Sequence, residues 1–105
     1  MTASTWAAVL GSPIVHSLSP ALHRAAYLTL GLDWRYEAID VPKQEFSATL
    51  ARLCADPGLR GLSVTMPLKE LALAAANDAT AIALQTRAAN TMIVGHGRLH
   101  ADNTD

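Results

Sequence analysis

Cysteine is almost absent from this chain: Cys54 is its only one in 105 residues. An internal disulfide and a multi-cysteine metal site are thereby excluded. Aromatic residues are few (Trp6, Tyr27, Trp34, Tyr36 and Phe46), while alanines number 20, so the core is expected to use close helix–sheet contacts. Net charge is −1 and the basic residues form no cluster, which argues against nucleic acid as the partner. No apolar run approaches the roughly 18 residues of a membrane span. The start of the chain shows no basic segment leading into an apolar one, so a cytoplasmic protein is the expectation. Internal repeats and low-complexity tracts are missing, and residues 1–105 are expected to form one domain. Glycines never fall in the Gly-x-Gly-x-x-Gly spacing that cradles a dinucleotide.

What is present alternates strand and helix. Trp6 to Leu10 is a continuous apolar run closed by Gly11-Ser12-Pro13, which suits a strand covered on both faces. Ser19-Pro20 is a helix start, with the serine as cap and the proline in the first turn, and the helix is expected to stop at Gly31. Trp34 to Val41 alternates in part and reads as a half-exposed strand near a sheet edge. Pro42 opens a second helix with Phe46, Leu50, Leu53 and Cys54 at helical spacing, ended by Asp56-Pro57-Gly58. Leu62 to Thr65 is the next strand and Pro67 to about Ala76 the next helix. Asp78 or Thr80 caps a short helix through Leu84. Asn90 to Val94 and Arg98 to Ala101 form a hairpin about Gly95-His96-Gly97. The order predicts an α/β fold, a three-layer αβα arrangement with a mainly parallel sheet and a C-terminal hairpin.

In such sheets ligands bind beyond the carboxyl ends of the strands. Polar residues gather at those places: Ser17 and Ser19 after the first strand, Thr65 and Lys69 after the third, Asn90 at the mouth of a later one, and Asn103, Thr104 and Asp105 after the last. Ser17 and Ser19 are two apart, so in extended chain their hydroxyls face one way and could hold a small carboxylate or phosphate. The plainer alternative makes Ser19 a helix cap and Ser17 a loop residue. His16 and His23 flank this loop without the further ligands a zinc site needs, so no metal is expected. Lys69 is the odd placement. With Pro67 as first helical residue it falls in the first turn, where a cation is disfavoured by about 0.3–1 kcal/mol. The chain has two lysines against six arginines, so a lysine there points to a partner or a task, proton transfer among them. Asn90 is either a turn residue or an amide that reads a hydroxyl-rich ligand.

Four motifs taken together resemble the shikimate dehydrogenase family, over nearly the whole chain from about Trp6. They are Gly11-Ser12-Pro13-Ile14-Val15-His16-Ser17-Leu18-Ser19-Pro20 with His23 following, Val64-Thr65-Met66-Pro67-Leu68-Lys69, Ala89-Asn90-Thr91, and Asp102-Asn103-Thr104-Asp105. The resemblance implies the substrate-binding half of an enzyme that reversibly reduces 3-dehydroshikimate to shikimate with NADPH, on the route to the aromatic amino acids. It implies that Ser17 and Ser19 hold the substrate carboxylate, that Thr65, Lys69, Asn90 and Asp105 contact ring hydroxyls, and that Lys69 and Asp105 form the catalytic pair. The family's NADP-binding Rossmann domain is absent from these 105 residues, so the chain alone is expected to be inactive. One departure is visible: the family often has asparagine where Ser63 stands. Preference for quinate within the same family, and a shikimate-binding module without chemistry, are the alternatives. The oligomeric state is left open, a homodimer included.

Overall fold

The computed structural model describes residues 5–14, 31, 33–95 and 97–104. Among the described residues there are six strands: β1 (Trp6–Gly11), β2 (Arg35–Asp40), β3 (Leu59–Val64), β4 (Asp78–Ala79), β5 (Thr91–Gly95) and β6 (Arg98–Asp102). Among the described residues the helices are α1 (Phe46–Cys54), α2 (Lys69–Ala75) and α3 (Ala81–Thr86), with a 3-10 turn, Lys43–Glu45, leading into α1. The helix expected between Ser19 and Leu30 lies outside the described residues.

The strands form one sheet in the order β2-β1-β3-β5-β6-β4. β1 runs parallel to both β2 and β3, and β4 parallel to β6. β5 is antiparallel to β3 on one side and to β6 on the other. The α/β class and the C-terminal hairpin agree with the sequence, and the sheet is mixed because the hairpin joins it through β5. β1, in the parallel part, is buried on both faces, as its unbroken apolar run requires. Trp6, Ala8 and Leu10 enter the main core with Leu62, Val64, Met92 and Ala101, while Val9 packs with Tyr36 and Ile14 in a separate cluster. β2 is an edge strand, as its alternation suggested.

Helix packing follows sequence spacing. Phe46 and Leu50 of α1 and Ala72 of α2 are buried in the main core, with Leu53 and Cys54 partly buried against it. The starts of β3 and α2 differ from expectation. β3 begins at Leu59 rather than Leu62, because the turn at Asp56, closed by Gly58 N–H to Asp56 Oδ1 at 2.8 Å, delivers buried Leu59 straight into register with Trp6. α2 begins at Lys69, not Pro67. Residues 65–68 are instead occupied by a turn in which Leu68 N–H donates to Thr65 O at 3.0 Å, and the Met66–Pro67 bond is cis. Among the described residues, no helix is long and apolar enough to cross a membrane.

Candidate functional site

The carboxyl ends of β1 and β3 are stitched into one rim by backbone hydrogen bonds. Thr65 N–H donates to Leu10 O at 2.9 Å, Ser12 N–H to Met66 O at 3.1 Å, and Val41 N–H to Gly11 O at 2.9 Å. The antiparallel hairpin then adds the opposite ends of its strands to the same rim. Thr91, the first residue of β5, is in register with Ser63 of β3 and with Asp102, the last residue of β6. Asn90 and Asn103-Thr104 therefore sit where β3 ends.

Three sequence-predicted residues meet at this rim. Val64 N–H donates to Asn90 O at 2.8 Å, and Ala89 N–H donates to Lys69 O at 2.9 Å. These two bonds tie the segment carrying Asn90 to both flanks of the Thr65–Lys69 turn. Lys69 and Thr65 are each half-buried. Lys69 borders an open cavity of about 330 Å³ together with Lys43, Met66, Pro67, Glu70 and Ala88. Both lysines of the chain thus line one hollow, a meeting of residues 26 apart that the sequence did not suggest for Lys43. Ser17, Ser19 and Asp105, with His16 and His23, lie outside the described residues.

Asn90 has a structural task that its spacing did not show. Its Oδ1 accepts from Thr104 N–H at 3.0 Å and from the Thr91 hydroxyl at 2.9 Å, and its Nδ2 donates to Thr104 Oγ1 at 3.0 Å. A ring hydroxyl reaching Asn90 would share the amide with Thr104. The preceding residue is held as firmly. Asn103 is buried, and its Nδ2 donates to Thr86 Oγ1 at 3.0 Å and to Ala88 O at 3.2 Å. The chain that approaches Asp105 is therefore fixed by Asn90 and Thr86. Thr86 carries no recognisable spacing, since its partner lies 17 residues further on.

Ser63 does not face this rim as an isolated hydroxyl. It accepts from the phenol of buried Tyr36 at 3.0 Å, across β1. A second cavity, of about 240 Å³, lies beside the hairpin turn and is bordered by Cys54, Arg60, Asn77 and Arg98 among others. It contains none of the predicted site residues, and burial pushes the Cys54 thiol above its ordinary range.

The turn after β1 carries Pro13 and the turn after β3 carries Pro67, neither of which has an N–H to offer a phosphate. The Ser12 N–H is already given to Met66 O.

Comparison with known proteins places the fold in a family. Residues 9–92 match the family model described as the shikimate dehydrogenase substrate binding domain. A shikimate dehydrogenase (NADP(+)) of Xanthomonas euvesicatoria is 45% identical over 98 residues, which are 93% of this chain and 34% of that protein. The crystal structure of Mycobacterium tuberculosis shikimate dehydrogenase superposes with a TM-score of 0.89 at 44% identity, over 95% of this chain and 38% of that one. The Thermus thermophilus enzyme, solved in complex with NADP(H) and shikimate, gives a TM-score of 0.89 at 41% identity, again over 95% of this chain and 38% of that one. The chain spans about a third of the length of the relatives it matches.

Proposed function

The chain belongs to the shikimate dehydrogenase family through its substrate-binding domain, and from that we propose that it is the substrate-holding and proton-handling half of an NADP-dependent enzyme that interconverts 3-dehydroshikimate and shikimate. The observation that carries the reading is the convergence of Thr65, Lys69 and Asn90 on one rim, bound together through Val64–Asn90 and Lys69–Ala89 backbone bonds.

The chemistry assigns each group a task. Ser17 and Ser19 hold the substrate carboxylate by their hydroxyls. Thr65 and Asn90 engage ring hydroxyls, Asn90 while it also grips Thr104. Reduction of a ketone leaves negative charge on its oxygen, and an ammonium within hydrogen-bond reach supplies the proton. Lys69 is that donor, and Asp105 orients it. NADP, the cofactor named for the relatives, supplies the hydride and is held by a domain outside these residues. The proposed setting is cytoplasmic.

Lys69→Ala in the full-length enzyme tests the assignment. It is expected to lower kcat on the order of 100-fold or more with a much smaller change in KM, as for a positioned proton donor. A change confined to KM would remove Lys69 from the chemical step and leave it a binding residue.

A further inference from the structure

Gly11 closes β1 in ordinary extended backbone. The described glycines with positive φ are Gly31 and Gly97, so conformational freedom is not what residue 11 requires. What it supplies is the absence of a Cβ. A methyl group built there would fall well inside contact distance of Thr65 Cγ2, and would also lie 3.2 Å from both Ile14 Cδ1 and Met66 O. By contrast, a Cβ at Gly61 would meet only Met92 O, at 3.3 Å, and Gly31, Gly95 and Gly97 open onto space.

The neighbours of Gly11 are poorly able to retreat. Thr65 is held on both sides, its N–H donating to Leu10 O at 2.9 Å and its carbonyl accepting from Leu68 N–H at 3.0 Å. Met66 O is engaged by Ser12 N–H at 3.1 Å. Threonine is stiff at χ1, and its side chain occupies one of three staggered wells. With the backbone fixed, the way left to relieve the contact between a methyl at residue 11 and Thr65 Cγ2 is to rotate Thr65 about χ1. That rotation moves the hydroxyl as far as it moves the methyl.

We propose that Gly11 is a positioning residue for the substrate site: its missing Cβ is the space into which Thr65 Cγ2 packs, and that packing sets the direction of the Thr65 hydroxyl. The inference rests on the reading that Thr65 contacts substrate. It assigns to the glycine of the first motif a task at the second motif, more than 50 residues away in sequence.

A double-mutant cycle in the full-length enzyme tests it, with KM for 3-dehydroshikimate, kcat and the Thr65 methyl NMR signal as readouts. Gly11→Ala is expected to raise KM about tenfold, the loss of roughly one good hydrogen bond, with a smaller effect on kcat. Thr65→Ser removes Cγ2 and keeps the hydroxyl. Added to Gly11→Ala, it is expected to return KM to near that of Thr65→Ser alone. A merely structural role for Gly11 would show as lowered melting temperature without this rescue. The proposal is overturned if Gly11→Ala leaves KM unchanged, or if the double variant is no better than Gly11→Ala. Should Gly11→Ala fail to fold, the wild-type spectrum still decides, since absence of a nuclear Overhauser contact between the Thr65 methyl and the Gly11 α protons overturns it. If wild type shows no turnover of 3-dehydroshikimate while the Thr65 methyl shifts with Gly11→Ala, the hold of Gly11 on Thr65 stands and the substrate assignment fails.

Discussion

Asn90 grips Thr104 with both ends of its amide while its backbone carbonyl holds Val64. One residue therefore fixes the distance between the Thr65–Lys69 turn and the approach to Asp105. Its identity as a candidate was readable from position at a strand mouth, but its bonds across 14 residues were not, because they form only once β5 has paired with both β3 and β6. Asp78, on edge strand β4, shows a different single-residue effect. Its carboxylate is hydrogen-bonded to His100 Nδ1 and lies 3.4 Å from the Arg98 guanidinium. The bond to His100 foremost, and Arg98 after it, hold the Asp78 carboxyl below its ordinary value of 3.8. A carboxyl with a depressed folded pKa stabilises the fold above its unfolded value, and that contribution is lost as pH falls through the folded value. The urea midpoints of wild type and Asp78→Asn should therefore differ at about pH 6 and draw together as the pH is lowered towards about 3. A gap that persists unchanged at the acid end would assign the effect to something other than the charge.

Among the elements, α3 is the one most dependent on its ends. It has six residues, too few to stand by intrinsic propensity. Thr80 accepts from Ala83 N–H at 3.2 Å and donates its own hydroxyl to Asp102 Oδ1 at 2.8 Å, so one cap ties the helix to β6. Thr80→Ala should cost about 1 kcal/mol of stability by urea denaturation, with Thr80→Ser recovering most of it. Equal stability of the alanine and serine variants would deny the cap its role. The sequence left this helix start between Asp78 and Thr80, and the structure places the cap at Thr80. β4 was not legible: its two residues are a strand only through pairing with His100 and Ala101. Pro67 misled for a related reason. Proline suits a first helical position, yet the turn bond from Leu68 to Thr65 delays α2 by two residues, and that bond belongs to the rim and not to the helix.

At the scale of the whole molecule, the topology joins what the sequence left scattered. Strand ends and polar motifs coincide because parallel β1 and β3 and antiparallel β5 bring their relevant ends to the same side, a placement the strand–helix alternation foretold for β1 and β3 but not for the hairpin. The rim so formed holds residues suited to a hydroxylated acid and to a proton transfer. The sequence has no glycine-rich dinucleotide spacing, and Pro13 and Pro67 follow β1 and β3. Hydride transfer needs the donor carbon held about 3–3.5 Å from the ketone carbon, and a weakly held cofactor forfeits most of the advantage of such positioning. The purified 105-residue chain, mixed with NADPH and 3-dehydroshikimate, is therefore expected to leave NADPH fluorescence unchanged over hours. The full-length enzyme under the same conditions should consume NADPH. Turnover by the short chain alone would mean that these residues hold the nucleotide after all.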